Sequence, residues 1–163
     1  MNKPINVLVV DDESLAREAI TIRLQEFPEF NVCGEADNGS DAIVLAHASL
    51  PDVIFLDIEM PDVNGLIAAK AITQNTDALI VFVTAYDHYA LQAFRVNAID
   101  YLLKPIDDAL FKDTLNKLKQ RVKEKNSRPD IRFLNLLNEL KPDSINSKLK
   151  IQSKYLQFLF LFP

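Results

Sequence analysis

Cysteine and long apolar runs are scarce in this chain, and the 18 basic residues are outnumbered by 23 acidic ones. Each of these features argues against a class of protein. Cys33 is the single cysteine among 163 residues, so no internal disulfide can form and a reducing compartment is favoured. No apolar run approaches the roughly 18 residues that cross a membrane, and no secretory signal opens the chain. We therefore expect a cytoplasmic protein with no membrane association. The formal net charge of −5 argues against nonspecific nucleic-acid binding by this segment.

Metal-binding side chains of the histidine and cysteine type are also few. His47 and His88 have no partner histidine or cysteine at ligand spacing, which disfavours metal and phosphorelay roles for both. Cys33 ends the apolar stretch 30–33. We interpret it as a small core side chain rather than as a reactive thiol.

Four apolar runs are each followed directly by polar residues. The runs cover residues 7–10, 53–56, 79–83 and 99–103. Continuous apolar runs are typical of strands that are buried on both faces in a parallel sheet. Their carboxyl ends meet at one edge, where the chemistry of such sheets collects. The polar residues predicted to share that edge are Asp11, Asp12, Asp57, Thr84 and Lys104.

Strand and helix patterns alternate from residue 5 to about residue 125, with one further strand at residues 30–35. Five strand–helix units of this length predict an α/β fold, a doubly wound five-stranded parallel sheet with helices on both faces. The fourth helix is expected at residues 86–95, and Asp107 is expected to cap the last. Residues assigned to the inner helix faces are Leu15, Ala19, Ile22 and Phe27 in the first helix and Leu110, Leu115, Leu118 and Val122 in the last. Tyr89, Phe94 and Val96 around the fourth helix can form core or a partner surface, and core contact is the default interpretation.

Composition changes after residue 123 and predicts a second part of the chain. We expect a main domain at residues 1–125 and a linker at 126–147 whose polar start lies at 124–129. Residues 131–140 within that linker can form a short helix. Residues 148–163 are expected to begin a second domain that is cut short, because so few residues cannot bury a core of their own.

Three of the predicted edge residues are carboxylates, which repel one another at close range. A hard divalent cation relieves that repulsion, and oxygen-only ligands in a partly open site suit Mg²⁺. Helix capping is an equal alternative for Asp11 and Asp12 taken alone, because both precede a helix. When Asp57, Thr84 and Lys104 are considered together with these two aspartates, a functional site is favoured over helix capping.

Asp57 can act as a nucleophile toward phosphorus and form an acyl phosphate. Lys104 would neutralise charge on the transferring group as a point charge, and the Thr84 hydroxyl can donate to a phosphoryl oxygen. A cis peptide at Lys104–Pro105 would direct the lysine side chain inward.

Five segments of the sequence together resemble the CheY-like receiver domain of two-component response regulators. They are residues 8–13 (LVVDDE), 56–61 (LDIEMP), 64–65 (NG), 83–85 (VTA) and 98–105 (AIDYLLKP). The resemblance implies the strand order 2-1-3-4-5. It also implies that a sensor histidine kinase phosphorylates Asp57 and that Mg²⁺ binds Asp11, Asp12, Asp57 and the backbone carbonyl of Glu59. Thr84 and Lys104 would contact the phosphoryl group, and Tyr101 would follow Thr84 as the second switch residue.

The segments 84–94 and 100–105 further resemble regulators with a LytTR-type DNA-binding output domain. Because the sequence stops long before such a domain would be complete, DNA contact is expected only through the missing output part. A homodimer is expected through the face of the fourth helix, fifth strand and last helix.

Two other functions remain open at this point. A haloacid-dehalogenase-type phosphatase also forms an aspartyl phosphate and places a second acid two residues later, as Glu59 stands here, but Met60 and Pro61 follow and no cap insertion is evident. A phosphorylation-independent adaptor of the same fold has no physical need for Asp57, Thr84 and Lys104 together. We therefore expect a phosphorylation-controlled switch that modifies itself at Asp57, rather than an enzyme.

Overall fold

The computed structural model of the chain describes residues 2–127. The predictions made for residues 128–163, including the helix at 131–140 and the start of a second domain, lie outside the described residues. The chain divides into the compact units Met1–Lys123 and Glu124–Pro163, and the fold below is that of the first unit together with the end of its last helix.

Ten elements alternate along the described chain. They are β1 (Ile5–Val10), α1 (Ser14–Gln25), β2 (Phe30–Ala36), α2 (Gly39–Ser49), β3 (Val53–Leu56), α3 (Gly65–Asn75), β4 (Leu79–Thr84), α4 (Ala90–Arg95), β5 (Asp100–Leu103) and α5 (Asp108–Ser127). All pairs of neighbouring strands are parallel, and the sheet order is β2-β1-β3-β4-β5. The predicted fold class and strand order are confirmed.

The central strands are buried on both faces, which explains their continuous apolar sequences. All four residues of β3 are buried. On one face of the sheet, Phe55 stacks on Phe111 of α5 with ring centroids 5.6 Å apart. The opposite face packs against the small and branched residues of α2 and α3, which include Ala42, Ala46, Ala69 and Ile72. Each fully buried large side chain contributes about 1.5–3 kcal/mol, so these two layers hold the strand ends in register.

Three helix starts follow from side chains that satisfy free backbone N–H groups. Asn38 accepts a hydrogen bond from the Asp41 N–H at 2.8 Å, and Asn64 accepts one from the Leu66 N–H at 2.7 Å. The Asp107 carboxylate accepts from the first turn of α5 at 3.0 Å, which confirms the predicted cap.

The predicted inner faces of α1 and α5 were partly wrong. Leu15 is 75% exposed and Ile22 is also exposed, while Ile20 and Leu24 are buried. Leu15 and Ile22 share one face of the helix, and Ile20 and Leu24 share another. The face with Ile20 and Leu24 is the one that packs against the sheet. In α5, Leu110 is 57% exposed, because the buried face is centred on its neighbour Phe111.

The region around α4 differs most from the prediction. Helix α4 begins only at Ala90, so residues 86–89 form a loop instead of a first helical turn. Tyr89 and Val96 are partly buried against the core as expected. Phe94 is 78% exposed, which contradicts its assignment to the core, because the six-residue helix turns only one side, around Ala93, to the sheet.

The prediction that Cys33 is a core side chain is also wrong, because Cys33 is exposed. Strand β2 is an edge strand with alternating burial, and its buried ends are Phe30 and Ala36. The Cys33 thiol donates a hydrogen bond to the Val7 carbonyl at 3.4 Å. At the other end of the chain, α5 continues to Ser127 and so includes residues that were interpreted as the start of a linker. No helix in the described part of the chain is long and apolar enough to cross a membrane.

Candidate functional site

The carboxyl edge of the sheet brings the predicted site residues together. Backbone hydrogen bonds continue the ladder one residue beyond the strands: the Asp57 N–H donates to the Val10 carbonyl at 3.0 Å, and the Lys104 N–H donates to the Thr84 carbonyl at 2.9 Å. The Asp11 N–H donates in the same way to the Ala36 carbonyl at 3.1 Å. The side chains that follow the strands therefore start from fixed positions.

Three carboxylates form the centre of this edge. Asp11, Asp12 and Asp57 each place one oxygen within 4.8 Å of the others. Asp11 and Asp57 are buried at 1% and 6% exposure, whereas Asp12 is exposed. The cluster is therefore buried at Asp11 and Asp57 and reaches solvent at Asp12.

Lys104 is the cation that faces this cluster. Its Nζ lies 2.7 Å from Asp11 Oδ2 and 3.2 Å from Asp57 Oδ2. The contact with Asp57 is a hydrogen bond. The contact with Asp11 is a close ion pair, and within residues 2–127 that buried oxygen has no other polar partner. One ammonium facing three carboxylates leaves excess negative charge, which a divalent cation can neutralise.

The electrostatics of Asp57 and Lys104 reflect this crowding. Burial raises the pKa of Asp57, and the neighbouring Asp11 raises it further, while Lys104 opposes both effects. Burial alone would lower the pKa of Lys104, but the carboxylates of Asp11 and Asp57 outweigh it and raise that pKa above its usual value. Lys104 is therefore charged at neutral pH, and Asp57 is harder to ionise than an ordinary aspartate.

The helix-capping alternative for the two aspartates is wrong. Helix α1 begins at Ser14 with Glu13 at the cap position, and no side chain caps it. Asp11 Oδ1 accepts a hydrogen bond from the Glu13 N–H at 3.0 Å, which lies before the helix. This contact orients the Asp11 carboxylate and leaves its second oxygen directed to Lys104.

Thr84 ends β4, where it pairs with Leu103, and Tyr101 lies in β5, where it pairs with Phe82. Thr84 is fully buried, and its hydroxyl accepts a long hydrogen bond of 3.4 Å from the Tyr86 N–H. The Tyr101 side chain is half-buried, and its hydroxyl donates to the carbonyl of Tyr86. The loop between β4 and α4 is thus bound to both predicted switch residues.

The loop after Asp57 is held by the Asp57 side chain and by its own backbone. The Ile58 N–H donates to Asp57 Oδ1 at 2.7 Å, and the Gly65 N–H donates to the Ile58 carbonyl at 2.8 Å. A Cβ atom at Gly65 would overlap the Asp57 carbonyl, so only glycine allows this approach. Glu59 is exposed at the mouth of the site. The Lys104–Pro105 peptide, whose isomer the sequence left open, is cis.

Two residues near the site were missed at the sequence level. Arg17 Nη1 donates to the Asp11 carbonyl at 2.8 Å, and the Tyr89 hydroxyl donates to Glu59 Oε1 at 2.7 Å. The Arg17 contact joins α1 to the end of β1, and the Tyr89 contact joins residues 30 positions apart. Neither leaves a spacing signal, although the aromatic cluster at 86–89 could have drawn attention to Tyr89.

A separate cavity of about 450 Å³ lies behind Arg17 and is lined by residues of α1, β2 and α2 together with Asp37. It is not lined by any of the three aspartates of the acidic cluster. We place the chemistry at the aspartates rather than in this cavity, because an ammonium and two buried carboxylates converge there.

A family model described as the response regulator receiver domain matches residues 7–116. The chain belongs to this family. The match covers every strand from β1 to β5 except the first two residues of β1, and it includes all the acidic-edge residues described above. The receiver expectation from sequence is confirmed, and it decides against the haloacid-dehalogenase alternative at the level of family.

The chain is similar in sequence to a transcriptional regulatory protein and to a sensory transduction protein. Transcriptional regulatory protein BtsR of Escherichia coli (strain K12) is 47% identical over 116 residues, which are 71% of this chain and 48% of BtsR. Sensory transduction protein LytT of Bacillus cereus is 46% identical over 118 residues, which are 72% of this chain and 48% of LytT. The chain thus spans about half the length of the curated relatives it matches.

The receiver also resembles solved structures. The crystal structure of the response regulatory domain of protein mrkE from Klebsiella pneumoniae superposes with a TM-score of 0.69 and 32% sequence identity. The superposition covers 73% of this chain and 98% of that domain. Because the superposition covers nearly all of the mrkE domain, this chain contains the equivalent of one whole receiver domain.

Proposed function

We propose that Asp57 of this receiver accepts a phosphoryl group from a sensor histidine kinase and that the modification switches a transcriptional regulator. The single observation that carries the proposal is the placement of buried Asp57, within 3.2 Å of the Lys104 ammonium and beside the carboxylate of Asp11. A buried nucleophilic carboxylate with a fixed cation at its side is suited to phosphoryl transfer.

The acidic cluster fits Mg²⁺ by its donor set. Asp11, Asp12 and Asp57, which each place one oxygen within 4.8 Å of the others, would hold the ion together with the backbone carbonyl of Glu59. When bound, Mg²⁺ supplies positive charge for the phosphoryl oxygens. Sodium or potassium would neutralise less of the charge of three carboxylates, so a divalent ion is favoured.

The transfer itself is an attack by an Asp57 carboxylate oxygen on phosphorus. The new O–P bond forms as the P–N bond of the donor phosphohistidine breaks, and the leaving imidazole takes the electron pair. Lys104 stays protonated and neutralises one phosphoryl oxygen, and the Thr84 hydroxyl donates to another. Hydrolysis of the acyl phosphate by water returns the carboxylate, so the receiver modifies only itself and is not proposed to turn over other substrates.

The proposed test is phosphorylation by a small donor. Incubation with acetyl phosphate and Mg²⁺ should add one phosphoryl group to the intact chain, as read by mass spectrometry, and chelation of the metal should prevent it. Steady turnover of small phosphate esters by the unmodified chain would instead support a phosphatase. A chain that takes up no phosphoryl group under any condition would support the adaptor alternative.

The proposed partners follow from the switch residues. Thr84 turning toward a phosphoryl group and Tyr101 moving into the space it leaves would change the face formed by α4, β5 and α5. That face exposes Leu91, Phe94 and Leu103, and we propose it as the homodimer surface. DNA would be bound only by an output domain beyond the described residues. Two further statements stay predictions. One is the division into a receiver at 1–125, a linker at 126–147 and an output segment from 148, and the other is the cytoplasmic location.

A further inference from the structure

The side chain of Glu59 is bound to the loop that precedes α4. Its Oε1 accepts a hydrogen bond of 2.7 Å from the Tyr89 hydroxyl. This hydrogen bond to the Glu59 carboxylate raises the pKa of the Tyr89 phenol. Two loops that flank the acidic cluster are thus joined across its mouth by one carboxylate.

Tyr89 is suited to hold this carboxylate in a fixed place. Its side chain is half-buried against the core face formed with α2 and α3. The His88 ring lies 4.1 Å from the Tyr89 ring, and the Tyr86 ring lies 6.3 Å away in an edge-on arrangement. A phenol surrounded in this way has few rotamers, so its hydroxyl is a positioned donor.

Glu59 needs an anchor of this kind. The residues before it are fixed, because Ile58 is hydrogen-bonded through both its N–H and its carbonyl. Glu59 itself is exposed, and Asp62 farther along the same loop has a positive φ of 76°. The contact with Tyr89 therefore ties the exposed part of this loop to a side chain that is packed on the core.

We propose that Tyr89 is a positioning residue for the metal site: by holding the Glu59 side chain, it keeps the Glu59 backbone carbonyl at the acidic cluster and so strengthens Mg²⁺ binding. This inference rests on the proposed function, because Glu59 is there assigned as a ligand through its carbonyl. Tyr89 itself touches neither the ion nor the phosphoryl group.

The position of Tyr89 also connects the metal site to the switch. The loop at 85–89 is bound at its start by Thr84 and Tyr101, which contact the N–H and the carbonyl of Tyr86. A move of either switch residue would release Tyr86 and shift Tyr89 with it. Mg²⁺ affinity then depends on the state of the switch, and by linkage Mg²⁺ favours the arrangement in which Tyr89 holds Glu59.

The experiment is a double-mutant cycle on the full chain, with Mg²⁺ alone as the ligand and its Kd measured by isothermal titration calorimetry. Tyr89→Phe removes only the hydroxyl and should weaken Mg²⁺ binding about 2- to 10-fold, the range expected for one hydrogen bond. Glu59→Ala should also weaken it, partly by loss of a charge. Adding Tyr89→Phe to Glu59→Ala should then have no further effect, because the cycle cancels the charge contribution.

Ser49→Ala is the matched control. It removes a hydroxyl that donates to the Leu45 carbonyl at 2.7 Å at the end of α2, and it should leave the Mg²⁺ Kd unchanged. Circular dichroism of each variant checks that it is folded. An unchanged Kd in Tyr89→Phe, or an equal loss in the Glu59→Ala background, overturns the proposal.

The same samples separate this proposal from the proposed function. If the unmodified chain binds Mg²⁺ and shows the predicted cycle but takes no phosphoryl group from acetyl phosphate, the positioning role stands and the proposed function fails. If the unmodified chain binds no Mg²⁺, the positioning role and the metal assignment are both overturned.

Discussion

At the scale of single residues, the roles proposed for Lys104 and Asp57 differ and can be measured separately. The Lys104 ammonium lies between two carboxylates and competes with a metal for their charge. Asp57 is buried beside Asp11 and is harder to ionise than an exposed aspartate. Removing the lysine and neutralising the aspartate should therefore change metal binding in opposite directions.

Lys104→Ala should leave Mg²⁺ binding intact or make it tighter, because a positive charge within 3.2 Å of the ligand oxygens is lost. Phosphorylation of Asp57 should nevertheless fall, by about 10-fold or more for the loss of a charge that neutralises the transferring group. Calorimetry and intact mass measure the two effects. Lys119→Ala, which removes a lysine paired with Glu29, is the control and should change neither. Loss of Mg²⁺ binding in Lys104→Ala would show that the roles are misassigned.

The raised pKa of Asp57 predicts how the stability of the metal-free protein depends on pH. A carboxyl with a higher pKa in the folded state than in the unfolded state stabilises the fold at low pH, and this contribution is lost as pH rises through the folded pKa. At neutral pH the buried charge is therefore destabilising. Asp57→Asn should raise the melting temperature at pH 7 without Mg²⁺, and the gain should shrink as pH falls below the Asp57 pKa.

Thermal unfolding followed by circular dichroism tests this prediction. With Mg²⁺ at neutral pH, the wild type should instead have the higher melting temperature, because only its Asp57 carboxylate contributes to binding the ion. An Asp57→Asn variant that is less stable than the wild type at pH 7 without metal would mean that the Lys104 contact outweighs burial.

At the scale of elements, the strand ends could be predicted from the sequence and the helix faces only in part. Each strand end is marked by a change from apolar to polar residues, and parallel topology alone brings Asp11, Asp57, Thr84 and Lys104 to one edge. The face that α1 buries depends on how the helix lies against the sheet, so Leu15 and Ile22 satisfied the pattern and are still exposed.

Other features of the elements had no local signal at all. Phe94 is an apolar residue on a helix too short to bury more than one side. Cys33 lies on an edge strand, where alternate residues face solvent. The hydrogen bonds of Arg17 with the Asp11 carbonyl and of Tyr89 with Glu59 depend on tertiary packing, and no spacing in the sequence encodes them.

The switch prediction belongs to this scale, because it concerns the loop at 85–89 and β5 together. Beryllofluoride, which mimics a phosphoryl group on aspartate, should change amide hydrogen exchange across residues 86–103. The reason is that Thr84 and Tyr101 both bind Tyr86 in the present arrangement, so a new acceptor for Thr84 releases that loop. Residues 30–49 serve as the internal control. Changes confined to that control region would contradict the proposed route.

At the scale of the whole molecule, the receiver match ends at residue 116 while α5 continues to Ser127. The last buried residue of α5 is Leu118, and Val122 is partly buried. A chain shortened to residues 1–125 keeps both Leu118 and Val122. It should unfold cooperatively, bind Mg²⁺ and accept a phosphoryl group like the full chain, as judged by urea unfolding and intact mass. Loss of cooperative unfolding would mean that residues beyond 125 belong to the receiver core.

The central claim for the molecule is that Asp57 is its sole phosphoacceptor, and locating the phosphoryl group tests it most directly. After reaction with acetyl phosphate and Mg²⁺, borohydride reduction converts an aspartyl phosphate to homoserine, which peptide mass spectrometry assigns to a residue. We predict conversion at position 57 only, no conversion without Mg²⁺, and no phosphoryl gain in Asp57→Asn. Conversion at another aspartate in the wild type, or an undiminished phosphoryl gain in Asp57→Asn, would contradict the account.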